Sequence, residues 1–323
     1  MPVRDDWACA AELIKRLDRA IPSDLCTLEI LLIDDGSVHK CDENNFQLDL
    51  SVVQAISVLR LRRNLGHQRA IAIGLVYLQQ TAICDAVVVM DADGEDTPDG
   101  VLQLLKAYRD SSIKKAIFAE RSRRTESFVF RFFYYIYKIM HLYLTGIQVR
   151  VGNFSILPFA YLNTLVVMSE LWNHYAATVF RSKLPFTMTP IPRGTRISGK
   201  STMNFVSLVS HGLSAISVFG DIVGVRLMIS SLAGSFVAGL GIIIVTMIRL
   251  FTNRAIPGWA TSATGILAII AIQLVSIATS FTFFVLFNRT NLGFVPLRDY
   301  SWFVEDSADI YSHAEEAVEN LVS

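Results

Sequence analysis

Two long stretches without a charged side chain, close to the C-terminal end of this 323-residue chain, restrict its fold more than anything else in it. Leu227 to Ile248 runs 22 residues and Ala255 to Phe287 runs 33 with no Asp, Glu, Lys or Arg. A helix needs about 20 apolar residues to cross a bilayer, and core helices of soluble proteins rarely stay uncharged for so long. The pattern predicts two spanning helices, about 226–250 and 257–287, joined by a turn holding Arg249, Arg254 and Pro257. Arg4, Asp5, Asp6, Glu12, Lys15 and Arg16 break up any apolar leader at the N-terminus. The residues before about 220 are therefore expected in the cytoplasm, in a protein integral to the cell's inner membrane. A formal net charge of zero argues against a general nucleic-acid binder. Cys9, Cys26, Cys41 and Cys84 have neither the spacing of a zinc site nor that of a disulfide framework, and read as reduced thiols. Asp299 to Ser323 holds seven acids and no Lys or Arg, which predicts a solvated, partly disordered acidic tail.

Ala86 to Asp96 reads AVVVMDADGED, an apolar run that breaks into carboxylates. Such a run fits a strand buried on both faces, and ligands of open α/β sheets bind beyond the carboxyl ends of such strands. Asp91 and Asp93 would then stand at a sheet edge. Mg²⁺ or Mn²⁺ takes hard oxygen ligands, needs only one or two protein carboxylates, and completes its shell with water and phosphate. A solvated strand end is the plainer alternative. Before this stretch, Asp6 is placed to cap a helix through Trp7, Ala10, Ala11, Ile14, Leu17 and Ile21. Leu28 to Ile33 reads as a strand ending in Asp34-Asp35-Gly36-Ser37, and Ala55 to Leu61 as another, followed by Arg63-Asn64-Leu65-Gly66-His67 and a helix to about Gln80. Thr97 and Pro98 open the next helix, and Ala116 to Ala119 forms a short strand before Arg121, Arg123 and Arg124. Strands alternating with helices predict an α/β fold with a mainly parallel, doubly wound sheet.

Asp-Asp-Gly-Ser, Arg-Asn-x-Gly-His, Asp-Ala-Asp, Arg-x-x-Arg, Gly-Asn-Phe-Ser at 152–155 and Arg-x-x-Gly-x-Ser at 196–201 follow one another in this order. With two spans behind it, the set resembles family 2 glycosyltransferases of the polyprenyl-phosphate type, the group of dolichol-phosphate mannosyltransferase and bacterial undecaprenyl-phosphate glycosyltransferases. The resemblance covers Pro2 to about Tyr300. It implies a GT-A fold (Rossmann-like, mostly parallel), a nucleotide-sugar donor, Mg²⁺ or Mn²⁺, and a polyprenyl-phosphate acceptor in contact with membrane lipid. The expected reaction is an inverting transfer of one sugar at the cytoplasmic face, and a homo-oligomer is one assembly it allows. The expected layout is a GT-A domain over 1–200, a juxtamembrane amphipathic helix over 201–222, the two spans within 223–289, and the acidic tail over 290–323. A processive polysaccharide synthase and a non-catalytic membrane scaffold are the alternatives. Against the first, the Gln-x-x-Arg-Trp of such synthases is missing; against the second, the aspartates and arginines are retained.

Carried onto this chain, the resemblance gives Asp91 and Asp93 the metal and diphosphate, with Asp93 the direct ligand. It gives Asp35 the base or ribose of the donor, where a turn carboxylate is the alternative, and lines the nucleotide cleft with Arg63, Asn64 and His67. His67 has no metal-ligand partner at useful sequence spacing. Asp96 belongs to the active site, although Gly94-Glu95 replaces the usual Leu-Gln. Arg121, Arg124 and Arg131 match positions that hold the lipid phosphate. Arg124, Arg131 and Lys138 recur every seven residues among Phe128, Phe130, Phe132, Phe133, Tyr134, Tyr135 and Tyr137, as on a membrane-surface helix or an aromatic core helix. Asn153 stands where some relatives have Asp; it cannot act as a base, and would instead belong to the catalytic set with Asp93 and Arg196 by orienting the acceptor or a sugar hydroxyl. Arg193, Arg196, Gly199, Lys200 and Ser201 would form a loop over the donor and acceptor phosphates, with Lys200 replacing the Lys expected at Thr202. The family's full first strand is reduced here to Met1 to Val3, which reads as an internal start of a longer protein, the alternative being a sheet that closes around a stub.

Overall fold

The computed structural model describes residues 1–41, 43–46, 49–121, 128–146, 151–198, 205–252, 258–290 and 293–313. The chain divides into two compact units, one of Met1–Ser127, Arg150–Val218 and Gly293–Ser323, the other of Phe128–Val149 and Phe219–Leu292.

The first unit is α/β. Its strands are β1 (Pro2–Val3), β2 (Leu28–Asp34), β3 (Val53–Leu61), β4 (Ala86–Val89), β5 (Ala116–Arg121), β6 (Val151–Pro158), β7 (Phe186–Ile191) and β8 (Val304–Ser312). Its helices include α1 (Trp7–Ala20), α2 (His67–Thr81) and α3 (Pro98–Asp110). The strands form two four-stranded sheets, ordered β1-β2-β3-β8 and β4-β6-β5-β7. The sheets are mixed rather than mainly parallel. Strands reached through crossover segments stay parallel, as in β1–β2, β2–β3 and β5–β7. The antiparallel pairings all involve β6 or β8, the strands that follow the chain's two excursions into the second unit.

Part of the expected acidic tail is ordered, because residues 304–312 are β8, an edge strand on β3, while residues 314–323 lie outside the described residues. Its acids are in use there: Asp306 pairs with Arg60 at 2.9 Å, and Asp309 accepts from Ser57 Oγ at 2.6 Å. Carboxylates on the solvent face of an edge strand also discourage further strand pairing. Helix α1 buries Trp7, Ala10, Ala11, Ile14 and Leu17, which its three- and four-residue spacing singled out, and Leu13 besides. At its far end the carboxylate of buried Asp18 accepts the backbone N–H groups of Ser51, Val52 and Val53 and fixes the start of β3. Thr97 caps α3 as expected, its Oγ1 accepting from Gly100 N at 3.1 Å, with Pro98 in the first turn. Asp6 does not cap α1; it sits at the N-cap position with no side-chain bond to the helix.

The second unit holds α4 (Phe128–Thr145), α8 (Gly220–Phe251) and α9 (Trp259–Thr290). Between α4 and α8 the chain returns to the first unit for α5 (Leu162–Leu165), α6 (Tyr175–Arg181) and α7 (Phe205–Ser217). The short α10 (Pro296–Asp299) follows α9, again in the first unit. Both α8 and α9 are 32 residues long, about 48 Å at 1.5 Å per residue, and are long and apolar enough to cross a membrane. Phe236, Val237, Ile244 and Phe283 are exposed along them, as lipid-facing side chains would be. Gly224 allows the two helices to approach, since a Cβ there would lie 2.5 Å from Val285 Cγ2. Arg226 Nη1 donates to the Tyr143 carbonyl at 2.7 Å, satisfying an end of α4 that has no further helical N–H to bond.

Candidate active site

The carboxyl end of β4 leads into Asp91-Ala92-Asp93, and these residues line a cleft with Pro2, Val3, Arg4, Asp6, His67 and Arg196. The loop is built from inside by Asp96, which is buried and accepts the Asp91 N–H through Oδ2 at 2.9 Å. Asp93 Oδ1 accepts from Glu95 N at 2.9 Å, and Oδ2 lies 3.6 Å from Arg196 Nη2. Burial holds the Asp93 carboxyl above the usual carboxylate range and the Asp91 charge adds to this, while Arg196 and Arg193 oppose it.

The 193–198 segment packs on this loop through Gly194 N to Glu95 O and Ile197 N to Asp93 O, both 2.9 Å. Arg193 forms an ion pair with Glu95, and Arg196 Nη2 donates to Asp6 Oδ2 at 3.2 Å. Gly94, at φ +86°, permits this fit, because a Cβ there would lie 2.5 Å from Ile197 Cγ1. The expected loop over the phosphates is thus seated on the Asp-Ala-Asp turn as far as Ser198. Asp6, Glu95 and Gln68 are contributors the sequence reading gave no such part, and the acidic pair after the β1 stub was the available signal for Asp6.

A second pair of loops meets beside the cleft. Asp35 is buried, and its two oxygens accept from Leu65 N at 2.6 Å and Gly66 N at 2.9 Å. Burial raises its pKa despite those bonds. Gly36, at φ +66°, lies against the other loop so closely that a Cβ would meet Asn64 N at 2.5 Å. Asp35 therefore fastens the Arg-Asn-Leu-Gly-His loop, while Arg63 and Asn64 are exposed at its surface. His67, the first residue of α2, faces Asp91 Oδ1 at 3.2 Å through Nε2. The same nitrogen lies 2.8 Å from Asn153 Nδ2, and Asn153 Oδ1 accepts from Gln68 Nε2 at 3.1 Å.

Arg121 ends β5 opposite Ile191, and Arg131 lies on α4 with Lys138 seven residues on. The expectations placed on Arg124, Lys200 and Ser201 fall outside the described residues, so of the seven-residue series only Arg131 and Lys138 are placed, both in α4.

The sequence model of glycosyl transferase family 2 matches residues 1–166. The chain belongs to that family. This family 2 glycosyltransferase is 24% identical over 271 residues to an uncharacterized glycosyltransferase of Bacillus subtilis (strain 168), covering 81% of the chain and 80% of the relative. It is also 24% identical over 288 residues to the undecaprenyl-phosphate 4-deoxy-4-formamido-L-arabinose transferase of Salmonella choleraesuis (strain SC-B67), covering 87% and 83%. An uncharacterized glycosyltransferase of Synechocystis is similar at 24% over 290 residues, 86% of each chain.

The donor set of the glycosyltransferase fits a divalent cation on one specific observation. Asp91 Oδ1 is buried with no hydrogen-bond partner among the described residues. Among those residues no three His, Cys, Asp or Glu side chains form a ready cage.

Proposed function

We propose that this glycosyltransferase moves one sugar from a nucleotide sugar to polyprenyl phosphate, with inversion, at the cytoplasmic face of the inner membrane. The carrying observation is the cleft in which Asp91, Asp93 and Arg196 converge beyond β4. The acceptor reading is supported by the Salmonella relative, whose similarity runs over 87% of the chain. In this reading the first unit binds the donor, and α8 and α9 hold the enzyme in the bilayer beside its lipid.

Asp91 and Asp93 would hold Mg²⁺ or Mn²⁺, which supplies positive charge to the departing diphosphate. Arg196 brings a permanent guanidinium to the same cleft and neutralises phosphate oxygens there. A polyprenyl phosphate, with a second pKa near 6, is largely a dianion at neutral pH and attacks without a protein base. One phosphate oxygen forms the new bond at the anomeric carbon from the face opposite the leaving group. The bond to the nucleoside diphosphate breaks, and the configuration inverts. Asn153 supplies no base; its amide is held between His67 and Gln68, and it would orient the acceptor or a sugar hydroxyl. Arg121, Arg124 and Arg131, with Lys200 and Ser201, are assigned to the acceptor phosphate because forked, charged donors suit that group.

The test is a panel of labelled nucleotide sugars given to membranes containing the chain, with and without added polyprenyl phosphate. Label entering the organic phase only with added lipid phosphate, stopped by EDTA and restored by Mn²⁺ or Mg²⁺, supports the reading. Transfer that proceeds unchanged in EDTA removes the metal from it.

A further inference from the structure

We infer that Arg4 binds the diphosphate of the nucleotide sugar, as the guanidinium that the cleft keeps clear of carboxylates. The inference rests on the nucleotide-sugar donor proposed above and adds a residue to that donor's site. Arg4 lines the cleft with Asp6, Asp91, Asp93 and Arg196, and the residue is exposed. The two other arginines beside the Asp-Ala-Asp turn are engaged. Arg193 pairs with Glu95, and Arg196 Nη2 lies 3.2 Å from Asp6 Oδ2 and 3.6 Å from Asp93 Oδ2. Arg4 has no ion-pair partner among the described residues.

Carboxylates stand near Arg4, but each is committed elsewhere. Asp5 Oδ1 accepts from Val38 N at 2.8 Å and from His39 N at 3.0 Å. The oxygens of Asp35 accept from Leu65 N and Gly66 N. Burial raises the Asp35 pKa, and the charge of Arg4 opposes that rise after those two bonds, so the guanidinium acts on the Asp35 loop as well as on the cleft. The turn that follows Arg4 is strained. Asp5 has φ +56°, in the left-handed region that residues other than glycine seldom adopt. Its carboxylate bonds hold it there, together with a third bond in which Asp5 N donates to Ser37 Oγ at 2.9 Å. The turn fixes where Arg4 leaves the carboxyl end of β1, the end at which ligands of such sheets bind. A permanently charged, forked donor in that place, with no carboxylate to neutralise it, suits phosphate oxygens.

The test is calorimetric titration of the purified full chain in Mn²⁺ with UDP, GDP, CDP, ADP and dTDP, repeated on Arg4→Ala, Arg4→Gln and Arg4→Lys with the nucleotide that binds. The matching nucleoside is measured as a competitor on each variant. Arg4→Ala and Arg4→Gln should weaken the diphosphate by about ten- to a hundredfold, and Arg4→Lys should recover part of the loss. Affinity for the nucleoside and the temperature of unfolding should stay at the parent's values. Unchanged diphosphate affinity in folded Arg4→Ala or Arg4→Gln overturns the inference and leaves the nucleotide-sugar reading standing. An equal loss for the nucleoside overturns it by moving Arg4 to the base or ribose. If the parent chain binds none of the five diphosphates, the inference and the donor reading fall together.

Discussion

Asp6 and Arg196, 190 residues apart in the chain, meet at 3.2 Å, with Arg196 Nη2 donating to Asp6 Oδ2. The same guanidinium nitrogen lies 3.6 Å from Asp93 Oδ2, so one cation is shared between the segment after β1 and the Asp-Ala-Asp turn. The two partners should not be equivalent. The Asp6 side chain is 41% exposed, and its loss costs about 1 kcal/mol, roughly fivefold in apparent donor affinity. In the proposed reaction Arg196 is the charge that meets the phosphates, so Arg196→Ala should lower kcat/KM by about a hundredfold or more. Steady-state kinetics of the two variants checks this, and equal small effects would confine the pair to holding the loop.

Asp93 carries a stability signature as well as a chemical one. Its pKa is raised by burial first and by Asp91 second. A raised folded-state pKa gives a contribution to stability that is complete below the unfolded value and is lost as pH rises through the folded one. At neutral pH the ionised group therefore works against folding. Asp93→Asn should unfold at a temperature no lower than the parent at pH 7, with its relative advantage shrinking toward pH 4, while transfer is abolished. Thermal unfolding across that range, beside an activity assay, decides it; a less stable variant with residual transfer contradicts the assignment.

Asp35 separates two roles by the same pair of measurements. Both of its oxygens accept backbone N–H groups of the loop that leads to His67. Asp35→Ala leaves those groups unpaired in a largely buried setting, at about 1–3 kcal/mol each. A clear drop in unfolding temperature is expected together with weaker donor binding. Weaker donor binding at unchanged stability would instead give the carboxylate to the base or ribose.

Much of the architecture was legible because local chemistry and tertiary role coincide. The Thr97-Pro98 start of α3, the apolar β2, β3 and β4, and the two long apolar helices are written in periodicity and caps. Strand direction was not, since the antiparallel pairings of β6 and β8 are long-range choices that leave no mark in local periodicity. The tail misled because its acids read as solvation, although Asp306 and Asp309 face Arg60 and Ser57 across a ladder. In the site, the carboxylates and arginines stood out as residue types. The Asp6–Arg196 pair, the Arg193–Glu95 pair and the Gln68–Asn153–His67 contacts did not, because each is a long-range meeting with no spacing to read.

Acceptor capture and donor binding should separate at Arg131. If this residue of α4 holds the lipid phosphate, Arg131→Ala loses a charge-assisted contact of about 1.5–3 kcal/mol, or about ten- to a hundredfold in the acceptor requirement. Lys at the position should restore only part, because a point charge replaces a fork. Paired titrations, lipid phosphate at saturating donor and donor at saturating lipid phosphate, check it. A defect confined to the donor titration would move Arg131 to the nucleotide side.

In the proposed reaction one sugar, and only one, passes to a lipid phosphate. The most direct measurement is the mass of the lipid recovered after the purified chain has been incubated with polyprenyl phosphate, Mn²⁺ and the nucleotide sugar that labels membranes best, with released nucleoside diphosphate counted in the same reaction. A single new species is expected, the lipid phosphate plus one glycosyl residue, in a one-to-one ratio with nucleoside diphosphate, and none of it in Asp93→Asn. A ladder of longer glycans, or nucleoside diphosphate released without any glycosylated lipid, would contradict it.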